Sequence, residues 1–149
     1  MWKSASQLKT TVVSEHYVPI ASDTDVGVAR QLGRDFAAEA GFSGGDQAVI
    51  AAAILEIARN ILNFARTGEV MLHSAHDGKR KGIVVAARDN GPGISDVPLA
   101  LEDGYTTSNG LGLGLAGCRR LMDEFTVTSS LGAGTMVTMK KWRRNVSAR

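Results

Sequence analysis

The chain has 149 residues, 44% of them apolar and 21% charged, with a formal net charge of +2. That length suits a single domain with its own core, and the balance excludes an extended disordered chain. A charge so near neutrality gives no footing for direct contact with nucleic acid. The one cysteine, Cys118, excludes a disulfide framework or a cysteine metal site within the chain.

The N-terminal segment, with Lys3, Lys9, Glu15 and His16, lacks the continuous apolar stretch of a signal peptide. No run of about 18 apolar residues is present to span a membrane. A soluble, cytoplasmic protein is expected.

In chain order, residues Leu8 to Val13 read as a first short strand. Ser22 then offers a helix N-cap, with Asp25 as a shorter-armed version of the capping-box acid. Ala29, Leu32, Phe36 and Ala40 recur at helical spacing until Gly41. A second helix is predicted from about Asp46 to Ala65. Its apolar residues cover most of the circumference, so it should be largely buried. Val70 to His73 and Gly82 to Asp89 read as two strands joined by a turn at Asp77-Gly78. A glycine-rich stretch from Gly104 to Gly117 leads into a helix ending near Phe125. Strands at Thr126 to Ser130 and Thr135 to Trp142 close the chain around the turn Leu131-Gly132-Ala133-Gly134. This order predicts an α/β (α+β) two-layer sandwich with a mixed, largely antiparallel sheet and helices on one face. His73 and His76 flank a turn and read as surface residues. Lys140, Lys141, Arg143, Arg144 and Arg149 read as a solvated terminal strand and tail, with a docking patch for an acidic partner as the alternative.

Four features carry chemistry. Glu56 and Asn60 lie one turn apart on the second helix, so a carboxylate and a carboxamide share a face. Such a pair can activate a hydroxyl and ligate a hard cation through oxygen. The plain alternative is the polar face of an amphipathic helix, formed by Glu56, Arg59, Asn60 and Asn63. Next, Asp89 continues the apolar row of Ile83, Val85 and Ala87 into the loop Asn90-Gly91-Pro92-Gly93-Ile94. A carboxylate at the edge of an apolar pocket can accept a hydrogen bond from the exocyclic amine of adenine and would oppose guanine. Gly91 and Gly93 let the backbone approach a flat ring. An ordinary turn after a strand is the alternative here.

The third feature is the run Thr106, Thr107, Ser108, Asn109, Gly110, Leu111, Gly112, Leu113, Gly114, Leu115, which enters a helix directly. Backbone N–H groups freed by glycines and the positive end of a helix suit phosphate. The run is no Walker A loop, since it lacks Gly-Lys-Ser/Thr. Its formal dinucleotide fingerprint, from Gly112 to Gly117, lacks both a feeding strand and a following acid, Val137 standing there instead. Gly134-Thr135 is the fourth feature, able to place a hydroxyl beside a bound base.

Taken together and in order, these segments resemble the N box, G1 box, G2 box and Gly-Thr element of the GHKL (Bergerat-fold) ATPases, among them gyrase, histidine kinases and MutL. The resemblance implies ATP and ADP as ligands, with Asn60 holding Mg2+ against the phosphates. It assigns Asp89 to the adenine amine, Gly91, Gly93 and Ile94 to the base pocket, and Thr135 to the support of Asp89. The segment from Thr106 to Leu115, with Gly110, Gly112 and Gly114, would cap the phosphates. Four further stretches are similar to the bacterial partner-switching serine/threonine kinases, and within them to the RsbT-type switch kinases of the stressosome: Ala29 to Arg34, Glu56 to Asn60, Glu102 to Ser108, and Arg120 to Phe125.

That similarity implies one kinase domain over residues 1–149, with flexible ends at about 1–9 and 143–149. The domain would transfer the γ-phosphate to a serine or threonine of a STAS-domain antagonist, with Glu56 as base, and would activate a metal-dependent phosphatase once released. Two other outputs stay open: an anti-sigma factor kinase that sequesters a sigma subunit, and a nucleotide-gated binding module with little catalysis. The anti-sigma branch usually carries Asn-Ala in the N box, where this chain has Asn60-Ile61.

Overall fold

The computed structural model describes residues 11–93 and 114–144. Strand β1 spans Thr11–Ile20, so the first strand runs further than the apolar run at Leu8 to Val13 suggested; the start of that run lies outside the described residues. It is an edge strand. Edge position accommodates Pro19, which cannot donate to a ladder, and an irregularity between Val12 and Glu15 interrupts its pairing.

Helix α1, Asp23–Glu39, starts where Ser22 Oγ accepts the N–H of Asp25 at 3.3 Å. Asp25 reaches back, but to the N–H of Ala21 at 2.9 Å, one residue before the cap. Gly41 ends the helix as expected, at φ +89°. Arg143 then donates to the carbonyl of Ala40 at 3.3 Å, a cation from the far end of the chain on a helix whose last turn has none. Helix α2, Gly44–Phe64, is capped by Ser43, whose hydroxyl accepts from Asp46 N–H at 3.1 Å.

The hairpin that follows pairs β2, Gly68–His76, with β3, Lys81–Asp89. Asp77 closes its turn by accepting the N–H groups of Lys79 and Arg80 and the Arg80 guanidinium. Those Arg80 bonds hold the Asp77 carboxyl down at about 2. Helix α3, Gly114–Leu121, leads to β4, Glu124–Ser130, and β5, Gly134–Trp142.

The strands line up as β1-β2-β3-β5-β4, and all four described pairings are antiparallel. The three helices cover one face. Ile50, Ala53, Ile54, Ile57 and Ile61 of α2 press onto Val70, Leu72, Ile83, Val85, Val137 and Met139 of the sheet. Each isoleucine fully buried there contributes about 1.5–3 kcal/mol. Although α2 is long and apolar enough to cross a membrane, its apolar side is this core.

The opposite face is also apolar in part, with Ala75, Val84 and Trp142 clustered and Met71 and Ala86 buried beside them. His73 belongs to this face and is 0% exposed, which corrects its reading as a surface turn residue. The strand runs three residues past His73, so the turn begins later than the apolar pattern indicated. Lys141 likewise departs from the solvated tail expected of it and is buried.

Candidate functional site

Helix α2 carries the first pair. Glu56 is 5% exposed, while Arg59 and Asn63 on the same polar stripe are exposed and Asn60 is half-buried. The stripe is therefore not simply a solvated face: its carboxylate is turned into the protein. Burial of a carboxylate is costly unless a site uses or compensates it. Against it lies α3. Cys118 is fully buried with its Sγ 3.7 Å from the carbonyl of Ala53, and desolvation, with the nearby Glu56 charge, pushes its thiol up to about 12. Cys118 is thus core, but core that touches the field of Glu56.

The end of β3 supplies the second element. Asp89 is half-buried and stands in register between Gly68 of β2 and Thr135 of β5. One carboxylate oxygen accepts the N–H of Gly91 at 2.9 Å, which holds the side chain at the strand's end. Thr135 Oγ1 is 2.8 Å from Ser129 Oγ, which itself donates to the Gly134 carbonyl at 3.1 Å. A row of small and hydroxylated residues (Gly68, Thr135 and Ser129) so surrounds the carboxylate on the face that the helices cover.

Gly68 was not singled out by its sequence context, because glycine is a poor strand former and the apolar run starts only at Val70. A methyl group on it would meet Ile61 Cγ2 at 2.9 Å and Asp89 Cβ at 3.2 Å. Its lack of a side chain therefore brings α2 and Asp89 together. Gly91 packs on the end of α2, where an added Cβ would lie 2.7 Å from that of Ala65. Gly93, at φ +83°, packs on the backbone of Ser130. At both glycines the close approach is to the protein's own chain, Ala65 for Gly91 and Ser130 for Gly93.

Helix α3 brings the third element. Gly114 opens it at φ +70°, and Leu115 is buried in the main core, so its side chain is structural and only its backbone is available to a ligand. The first-turn N–H groups of a helix have no intrahelical acceptors and form a partly positive end. Ile94, Thr106, Thr107, Ser108, Gly110, Leu111, Gly112 and Leu113 lie outside the described residues.

The described part therefore joins Glu56 and Asn60 on α2, Asp89 and Gly91 at the end of β3, Thr135 on β5 and the start of α3. Gly68 and Gly91 draw α2 to Asp89, while Cys118 draws it to α3. Such an arrangement offers a carboxylate acceptor beside an apolar wall and a positive helix end, with a buried carboxylate on the helix shared by both. An adenine nucleotide fits this donor and acceptor set. Among the described residues no group of three His, Cys, Asp or Glu forms a cation cage.

Residues 45–145 match the family model described as histidine kinase-, DNA gyrase B-, and HSP90-like ATPase. The chain is 47% identical over 127 residues to the serine/threonine-protein kinase RsbT of Bacillus subtilis (strain 168), a match covering 85% of this chain and 96% of that protein. It also resembles a solved structure of the RsbU and RsbW domains of Rv1364c from Mycobacterium tuberculosis, with a TM-score of 0.62 at 20% identity. That likeness covers 89% of this chain but only 34% of the other, and it speaks for the fold. The family match over most of the chain, on the fold and site described, shows that this protein belongs to the histidine kinase-, DNA gyrase B- and HSP90-like ATPases.

Proposed function

We propose that this protein is an ATP-dependent serine/threonine protein kinase of a bacterial partner-switching pathway, phosphorylating a STAS-domain antagonist. The observation that carries the reading is the burial of Glu56 on α2, at the junction with α3 and one turn from Asn60. A helix needing only a solvated polar stripe would leave that carboxylate in water, as it leaves Arg59 and Asn63. The named relative, a serine/threonine-protein kinase matched over 96% of its own length, supports the same reading.

In the proposed reaction the acceptor hydroxyl gives its proton to Glu56 as its oxygen bonds to the γ-phosphorus. The bond from that phosphorus to the β–γ bridging oxygen breaks, and ADP leaves. Such transfers need positioning and charge neutralisation more than covalent help. Asp89 accepts the adenine amine and selects against guanine, with Thr135 beside it and Gly91, Gly93 and Ile94 shaping the pocket. The glycine-rich stretch from Thr106 to Leu115 would cradle the phosphates. Magnesium, held in part by Asn60, would neutralise phosphate charge. The same reading takes residues 1–149 as one kinase domain, places it in the cytoplasm without nucleic-acid or membrane contact, and includes activation of a metal-dependent phosphatase as a second output.

The test is transfer of labelled γ-phosphate from Mg·ATP to a purified STAS-domain protein encoded beside this gene. Wild type should label the partner. Glu56→Ala should lower the rate by about 10²-fold or more with ATP affinity within a few-fold. An undiminished rate in Glu56→Ala removes Glu56 as the base. Absence of label with ATP bound moves the weight to sigma sequestration or phosphatase activation.

A further inference from the structure

Lys141 is unusual in its surroundings. Only 6% of it is exposed, and strand alternation sets it on the helix-covered face with Val137 and Met139. Its ammonium donates to the carbonyl of Leu121, the last residue of α3, at 3.0 Å. A buried ammonium gives up hydration, and the compensation here is the C-terminal pole of a helix, where unsatisfied carbonyls carry partial negative charge.

Neighbouring bonds tie the same end of α3 to β5. Asp123 donates its N–H to the Lys140 carbonyl at 2.9 Å, and its carboxylate accepts the Trp142 N–H at 2.7 Å. Glu124 accepts the indole N–H of Trp142 at 2.9 Å. The helix itself has 8 residues, too short to hold a direction without tertiary contacts. At its other end, about 12 Å away along the axis, Gly114 continues directly from the glycine-rich run.

We infer that Lys141 is a positioning residue for phosphate binding. By pinning the Leu121 end of α3, it sets the direction in which the first-turn N–H groups of that helix point. This rests on the nucleotide reading above, and it adds a residue far from the phosphates to the groups that determine affinity for them. The adenine end of the site, at Asp89, has its own supports in Gly68 and Thr135, at the opposite end of the β3–β5 ladder from Lys141.

The decisive measurement is the dissociation constant of adenosine, ADP and ATP, by NMR titration, for wild type, Lys141→Met and Lys141→Arg. Methionine keeps the apolar stem and removes the ammonium; arginine keeps a cation. Lys141→Met should weaken ATP and ADP about fivefold while leaving adenosine unchanged, and Lys141→Arg should recover most of the loss. Equal losses for adenosine and ATP would reveal a general structural role and overturn the inference, as would no loss at all. Should Lys141→Met fail to fold, Lys141→Gln, whose amide is too short to reach Leu121, is judged by the same two criteria. Wild type that binds no ATP would overturn the nucleotide reading and this inference together, whereas binding that is intact in both wild type and Lys141→Met overturns the inference alone.

Discussion

Asp89 and Thr135 are direct cross-strand partners, the last residue of β3 facing the second residue of β5. The carboxylate is steadied by the Gly91 N–H on one side, and the threonine hydroxyl by Ser129 on the other. A carboxylate so placed presents acceptor oxygens at the rim of a mainly apolar core.

Replacing Asp89 with asparagine keeps the shape and the bond to Gly91 but turns half of the group into a donor. ATP affinity should fall about tenfold to a hundredfold, the worth of a hydrogen bond to a charged group, without a change in thermal midpoint. Calorimetric titration of ATP into Asp89→Asn decides it, and unchanged affinity removes Asp89 from the adenine pocket. GTP, whose base carries an acceptor at that position, is expected to gain relative to ATP.

Gly134 is predicted to be intolerant of any side chain. It has φ +85°, and an added Cβ would run into the carbonyl of Asp89 and lie 2.9 Å from Asn90 Cα. Gly134→Ala should cost about 1–3 kcal/mol by urea melting, with ATP affinity lowered as well because the obstruction is the backbone of Asp89 itself. Gly132→Ala, also at positive φ but in open space, serves as the comparison and should change stability without changing ATP affinity.

His73 gives the fold an acid-sensitive element. Burial lowers its pKa below the ordinary 6.5, and its Nε2 has no described partner. Across the sheet it faces Glu15 on β1 and Val84 on β3, with Lys140 of β5 next in the row. Glu15 and the bond to the Ser74 carbonyl favour the proton, Lys140 opposes it, and desolvation is the largest effect. The unfolded chain therefore binds the proton more readily, and stability contributed by neutral His73 is full above about pH 6.5 and is lost as pH falls below that value. Stability should fall as pH drops below about 6.5, by up to about 1.4 kcal/mol per pH unit at the steepest, and the thermal midpoint should fall with it. His73→Leu should flatten that limb. Asp77, held low by Arg80, loses its contribution only between about 3.8 and about 2, outside the window.

Much of this architecture was written locally. Ser22 and Ser43 cap the two long helices through their own hydroxyls, Gly41 stops the first at positive φ, and Asp77 closes its hairpin with bonds to the next residues. Each device acts within a few residues, where side-chain chemistry and backbone geometry alone determine the outcome. The alternation that puts Asp89 at the end of an apolar row is local in the same sense, as is the spacing that puts Glu56 and Asn60 on one face.

Tertiary structure decided what periodicity cannot express. Glu56 and Arg59 share a polar stripe, yet α3 packs against one and leaves the other in water, so only the placement of a distant helix separates a candidate base from a solvated charge. His73 and Lys141 are polar residues beside apolar runs, a pattern that reads as surface. The first is buried because the second face of the sheet is also apolar, the second because a helix pole from another part of the chain compensates its charge. Burial depends on what arrives from elsewhere in the chain, and the free energy of a charge depends on its burial. The residue types and their spacing were therefore enough to point to the family, while the depth at which each group sits was set by the packing of α2, α3 and β5.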